Sequence, residues 1–138
     1  MRQSELPLRD SVSAPSTTGG ITLTDRQRTA WLRLWRTDNV GPVTFRQLIN
    51  RFGSADAALD ALPELATKGG AARLPKSPTL ASIEDEIAAA QKLGGRIVAL
   101  GEPDYPGMLR LTPDSPPVIA VKGNPAVFRL PALSIVGA

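Results

Sequence analysis

The chain has 138 residues, of which 42% are hydrophobic, enough for one ordinary domain or two very small ones with a packed core. It has no Cys and no His, which excludes a disulfide scaffold, a thiolate metal site and the catalytic arrangements that depend on histidine. Its net charge is only +3, and no apolar run approaches the roughly 18 residues that span a bilayer, so we expect a cytoplasmic protein without a membrane segment.

Residues 1–20 are rich in Ser, Thr, Pro and Gly and have no hydrophobic periodicity, which predicts a flexible tail. The tail contains Glu5 and Asp10 and no apolar stretch, so it is not a secretory signal.

Residues 21–78 are predicted to form a small helical domain, called the helical half below. Thr24 and Gln27 fit a capping box that starts a first helix. The side chains expected to form the apolar stripe of this helix are Ala30, Trp31, Leu34 and Trp35. Their spacing makes the two Trp residues core members rather than platforms for stacking bases.

A second helix is predicted to follow the turn at Gly41-Pro42 and to end at Gly53. Ser54 is expected to cap a third short helix, and a separate helical turn is expected after Pro63.

Residues 79–138, called the sheet half below, are predicted to begin a parallel, Rossmann-like α/β domain. A helix capped by Ser82 precedes short apolar runs at residues 96–100, 118–121 and 133–138, which we interpret as strands. Helices that alternate with such strands favour a parallel sheet. Because three strands and one clear helix cannot cover both faces of that sheet, we expect the domain to be truncated and the chain to be a fragment.

The turn over residues 39–44 admits two interpretations. In helix-hairpin-helix modules, a Gly-containing turn and the positive end of the next helix approach a phosphate. In a plain αα-hairpin the same Gly and Pro only make the turn. The charge distribution also admits two interpretations. Residues 1–54 carry eight Arg and four acids, while residues 55–138 carry eight basic residues and nine acids. The basic first third suits contact with a phosphate backbone, or it is a solubilising surface.

Two other groups have structural interpretations. The run Glu84-Asp85-Glu86 lies near a helix start, where carboxylates suit the helix dipole. Tyr105, before Pro106, is expected to bury its ring and give its hydroxyl a hydrogen-bond partner. We therefore predict no catalytic residue and no metal site.

Motifs of the sheet half occur in a characteristic order and spacing. They are Leu93-Gly94-Gly95 before an apolar strand, Asp104-Tyr105-Pro106 with Leu109, Pro116-Pro117 before a strand ending in Lys122-Gly123, and Ile135-Val136-Gly137. In the helical half, Val40-Gly41-Pro42 is followed by Phe45, Leu48 and Phe52-Gly53-Ser54. Over about residues 24–138 the chain resembles the DprA/Smf family of DNA-processing proteins.

The resemblance implies a small helical domain of the sterile-alpha-motif or helix-hairpin-helix type, followed by a Rossmann-like domain. It implies a protein that binds single-stranded DNA, forms a homodimer through the Rossmann-like domain and helps load RecA during natural transformation, without catalytic activity or a cofactor. The family's DNA pocket surrounds the loop after the Ile-Val-Gly strand, so only Gly137 and Ala138 enter it here.

Two questions stay open. The helical half either adds DNA affinity through four arginines or serves in protein contacts; the arginines are Arg26, Arg33, Arg46 and Arg51. The alternatives to a DNA-binding mediator are a Rossmann-type nucleotide-binding enzyme and a helical protein-interaction module, since fold alone does not settle function.

Overall fold

The computed structural model describes residues 20–137. Ala138 and all of the predicted tail except Gly20 lie outside the described residues. The described residues form five α-helices, two strands and one 3₁₀ helix. In chain order they are α1 (Asp25–Trp35), α2 (Pro42–Phe52), α3 (Ala55–Lys68), α4 (Leu80–Lys92), β1 (Gly95–Ala99), α5 (Gly107–Arg110), β2 (Val118–Lys122) and the 3₁₀ helix (Pro125–Arg129). No helix in this range is long and apolar enough to cross a bilayer.

Local chemistry sets the ends of α1 and α2 as predicted. The Thr24 hydroxyl accepts the backbone N–H of Gln27 at 3.2 Å, and the Gln27 side chain accepts the backbone N–H of Thr24 at 2.9 Å. Pro42 occupies the first turn of α2, where its missing N–H has no cost. Gly53 ends α2 with φ of 79°, a left-handed conformation that glycine adopts without strain.

The prediction of a separate helical turn after Pro63 is wrong, because α3 continues through Pro63 to Lys68 as one helix. Its start is as predicted, since the Ser54 hydroxyl accepts the N–H of Ala57 at 3.2 Å. A proline inside a helix removes one backbone hydrogen bond. Leu62 is buried and Leu65 packs against the same core, so burial on both sides of Pro63 keeps the helix continuous.

Helix α4 begins three residues earlier than predicted. Thr79, not Ser82, is its N-cap, and the Thr79 hydroxyl accepts the backbone N–H of Ser82 at 3.2 Å. The Ser82 hydroxyl instead donates to the Thr79 carbonyl at 2.9 Å. Thr79 and Ser82 both carry a hydroxyl that can cap a helix start, and the local sequence does not distinguish between them.

The core of the helical half lies between α1, α2 and α3. Its buried members are Ala30, Leu34, Val40, Phe45, Leu48, Ala55, Ala58 and Leu62. Trp31 and Trp35 meet the Phe45 ring edge-on, with centroid separations of 5.1 and 6.4 Å. Both Trp rings are therefore core members, which confirms the interpretation from their spacing.

The sheet half holds a two-stranded sheet in which β1 and β2 are antiparallel, with Ile97 opposite Ala120. The predicted mixture of helices and strands is confirmed, but the predicted parallel pairing is wrong for these strands. A parallel connection needs a long crossover, usually a helix that covers a sheet face. Only the four-residue α5 and turns lie between β1 and β2, so the chain turns back beside β1.

The predicted third strand does not form in its described part. Residues 131–137 pair with no strand there, and Leu133 and Ile135 each remain 89% exposed. An apolar, β-branched run favours a strand only where a partner edge satisfies its backbone.

Helix α1 joins the two halves. Leu32, which the predicted stripe omitted, is 1% exposed and packs with Ile83 of α4 and with Ile97 and Val118 of the sheet. One helix thus buries apolar side chains on two faces. The division of the chain at residue 78 stays a prediction.

Candidate nucleic-acid interface

The turn between α1 and α2 is held firmly by its own residues. The backbone N–H of Val40 donates to the Thr37 carbonyl at 3.2 Å, and the Val40 side chain is buried in the helical core. Asn39 has φ of 63°, a left-handed conformation that Asn tolerates better than most residues. The direction of α2 relative to α1 is therefore fixed by burial at Val40 and by the conformation of Asn39.

The N-terminus of α2 is open. Gly41 is the N-cap residue and supplies no side-chain acceptor, and a Cβ built there would meet nothing within 4 Å. Its φ of −87° suits any residue, so the conformation does not require glycine. Absence of a side chain leaves the first N–H groups of the helix, those of Val43 and Thr44, without a capping partner. These groups carry the partial positive charge of the helix end.

Asp38 lies immediately before the turn. Its backbone N–H donates to the Lys76 carbonyl at 3.1 Å, and its carboxylate accepts the Lys76 N–H at 3.2 Å. This double contact places the exposed Lys76 beside the turn, reinforced by a 3.0 Å hydrogen bond between the Thr37 and Ser77 hydroxyls. Sequence reasoning missed Lys76 because it lies in a connection 38 residues further along the chain.

The four arginines named as DNA-contact candidates contact four different segments. Arg26 lies 3.9 Å from the Asp56 carboxylate, Arg33 donates to the Pro78 carbonyl at 2.8 Å, Arg46 donates to the Pro113 carbonyl at 2.7 Å, and Arg51 lies 5.3 Å from the centre of the Phe52 ring. Only Arg26 faces an acid, and that side chain is 87% exposed. A carbonyl or a ring does not neutralise a guanidinium, so the other three keep their charge.

Two further arginines of the helical half, Arg28 and Arg36, were not named as candidates and form close ion pairs. Arg28 forms an ion pair with the buried Glu102, which also accepts the backbone N–H groups of Ala99 at 2.7 Å and Leu23 at 3.3 Å. Arg36 pairs with Glu86 at 2.7 Å. The hydrogen bond that Arg36 donates to the Glu86 carboxylate raises the pKa of Arg36, against the opposing effect of burial. Both pairs join α1 to the sheet half.

Other candidate groups have structural partners. Tyr105 is 5% exposed, and its hydroxyl donates to the Pro116 carbonyl at 2.7 Å, as the sequence predicted. Burial raises the pKa of Tyr105. Of the acidic run in α4, Glu86 is the residue that pairs with Arg36. Gly137 is exposed at the end of the described residues, and Ala138 lies outside them.

A comparison with protein-family models matches residues 25–89 to the DprA-like N-terminal HHH domain. The match contains α1, the open turn, α2, α3 and most of α4, while residues 90–138 lie outside it. No curated protein matches the chain. The matched domain coincides with the helices that hold the open turn, and the chain is a DprA-family protein whose N-terminal HHH domain occupies residues 25–89.

Proposed function

We propose that this DprA-family protein is a DNA-processing protein that binds single-stranded DNA without catalysing a reaction. The observation that carries the proposal is the uncapped N-terminus of α2 after Gly41, inside the HHH domain. Backbone N–H groups at an open helix N-terminus form a ready site for a phosphate.

The proposed contact combines three kinds of donor. The N–H groups of Val43 and Thr44 approach one phosphate, because Gly41 leaves the space in front of them free. Lys76, held beside the turn by Asp38, supplies a full positive charge. Arg46 in α2 adds a charge that its carbonyl partner does not neutralise. Such contacts grip the backbone and carry no sequence information.

The cellular role that we propose is the one that the resemblance to the DprA family implies. We infer that the protein acts as a homodimer in the cytoplasm, and that it helps load RecA onto incoming DNA during natural transformation. RecA filament formation on single-stranded DNA, with and without this protein, tests that role directly. An unchanged rate of filament formation, with DNA binding intact, would leave DNA binding as the function and remove the loading role.

The experiment that tests DNA binding is fluorescence anisotropy of a labelled oligo-dT across a salt series. We expect affinity that falls as salt rises, because bound phosphates release their counterions. A helical protein-interaction module would show no such salt-dependent affinity, and neither would an enzyme specific for free nucleotides.

Substitution of Gly41 makes the test specific to the turn. In Gly41→Asp the new carboxylate caps the N–H groups of α2 and repels phosphate, so helix stability holds or improves while affinity falls about tenfold. Gly41→Ala is the matched control, since its Cβ meets open space and it brings no charge. Equal affinities for the two variants would remove the turn from the DNA-binding surface.

A further inference from the structure

A cavity of about 740 Å³ lies between the segment that follows β1, the 3₁₀ helix and the two residues Gly20 and Ile21 before α1. Ligand cavities in proteins span roughly 300–1,000 Å³, so this one has room for a nucleotide. Its lining comes from residues 101–129 and from Gly20 and Ile21 before α1, all outside the matched HHH domain, and it includes no residue of the α1–α2 turn.

Two arginines line the cavity from different elements. Arg110 belongs to α5 and Arg129 to the 3₁₀ helix. In the part of the chain that the structure describes, neither guanidinium forms an ion pair or a side-chain hydrogen bond. Unpaired cations that converge on one cavity indicate an anionic ligand.

The acids of the same cavity are already neutralised. Glu102 is 7% exposed and pairs with Arg28. Asp104 pairs with Arg96 at 2.5 Å. Because each carboxylate has its own cation, the charges of Arg110 and Arg129 remain as a local positive excess.

An aromatic ring completes the lining. Phe128 of the 3₁₀ helix lines the cavity and is 42% exposed. The neighbouring Tyr105 is buried with its hydroxyl bonded to Pro116, so Phe128 is the aromatic side chain that the cavity presents. A cationic groove with an aromatic ring on which a base can stack is the usual combination in proteins that bind single strands.

We propose that this cavity is a subsite for one nucleotide unit of single-stranded DNA, with the phosphate paired to Arg110 and Arg129 and the base stacked on Phe128. The choice of single-stranded DNA as the ligand rests on the proposed function. The subsite itself is separate from the α2 N-terminus and is carried by different residues.

The experiment compares variants of the 138-residue protein by oligo-dT anisotropy. Phe128→Leu is expected to lower affinity about fivefold or more, while Phe128→Tyr keeps the ring and the affinity. Arg110→Gln and Arg129→Gln should each weaken binding about threefold to tenfold and reduce the log–log salt slope by about 0.7. Lys122→Gln is the matched control, an exposed cation of β2 outside the cavity lining.

Photocross-linking distinguishes this subsite from the rest of the surface. An oligonucleotide that carries iodouracil should cross-link to the peptide that contains Phe128. Competition with dTMP and with inorganic phosphate separates a DNA subsite from a site for free nucleotide or phosphate; we expect millimolar concentrations of either to displace the oligonucleotide poorly.

The outcomes separate the two proposals. If Gly41→Asp weakens binding but Phe128→Leu, Arg110→Gln and Arg129→Gln do not, the subsite is overturned and DNA binding stands. Efficient displacement by dTMP would overturn the subsite in favour of a free nucleotide site. If the unmodified protein binds no oligonucleotide at any salt concentration, the proposed function fails, and the subsite fails with it.

Discussion

The helical half encloses its own core, whereas the sheet half completes its core with a side chain from α1. The buried members of its core, Phe45 and Leu34 among them, all belong to α1–α3 or, at Val40, to the turn between α1 and α2. In the sheet half, Leu32 of α1 packs among Ile83, Ile97 and Val118. The buried Glu102 forms its ion pair with Arg28, which is also in α1. Local capping and helical periodicity therefore suffice for the first half, while the second depends on contacts between residues far apart in sequence.

The largest effect is expected at the centre of the helical core. Phe45→Ala removes a ring that is 2% exposed and meets both Trp rings, so it should destabilise the protein by about 3–5 kcal/mol. Urea denaturation followed by Trp fluorescence measures the change. Val43→Ala, on the same helix but 49% exposed, is the control and should change stability by less than about 0.5 kcal/mol. Similar losses for both variants would contradict a core centred on Phe45.

Leu32→Ala tests the dependence of the sheet half on α1. We expect a loss of about 2–4 kcal/mol, together with faster amide hydrogen exchange in β1 and β2. Leu34 lies on the opposite face of α1, so Leu34→Ala should lower the protection of amides from hydrogen exchange chiefly in α1–α3. If both variants perturb the same amides equally, the two cores act as one cooperative unit.

Glu102→Gln tests the polar link between the halves. It leaves the largely buried Arg28 with only the exposed Asp25, 3.6 Å away, as a counter-charge, which should cost about 2–3 kcal/mol. Asp104→Asn breaks a pair whose side chains are more than 40% exposed, and should cost at most about 1 kcal/mol. Thermal unfolding of both variants gives the comparison, and equal costs would show that burial of the Arg28–Glu102 pair adds nothing.

Tyr105 gives the stability of the protein a dependence on alkaline pH. Burial raises its pKa above the ordinary value of about 10, so above that pH the unfolded chain loses the proton first. The stabilising contribution is complete below about pH 10 and is lost as pH rises through the folded-state pKa. As the chain has one Tyr, absorbance titration of folded and unfolded protein reports this residue alone.

Tyr105→Phe is the control for that titration. It removes the hydrogen bond to the Pro116 carbonyl, at a cost of about 1 kcal/mol near neutral pH. It should also abolish the alkaline loss of stability that ionisation of this hydroxyl produces. Persistence of the same alkaline transition would assign it to other groups.

The smallest effect on stability is expected for Arg26→Gln. Its ion pair with Asp56 spans 3.9 Å at a highly exposed site, so stability should change by about 0.5 kcal/mol or less. If the helical half contacts DNA along α1, affinity for oligo-dT falls while stability holds. Lys68→Gln, which breaks an exposed pair with Glu64, is the matched control for both measurements.

The sequence by itself determined the features that depend on neighbouring residues. The capping box at Thr24, the start of α2 at Pro42 and its end at Gly53 each follow from hydrogen bonds or backbone conformations within a few residues. The motifs of the DprA family are likewise a property of the linear chain, and the HHH match over residues 25–89 agrees with them.

Only the tertiary structure decided the features that join distant residues. Strand direction follows from how the chain returns after β1, and the continuity of α3 through Pro63 follows from burial on both sides of it. The second buried face of α1 at Leu32, and the choice of Arg28 and Arg36 for ion pairs, depend on partners more than 45 residues away. Such contacts leave little local signal, because burial and charge pairing are set by whatever the fold brings alongside.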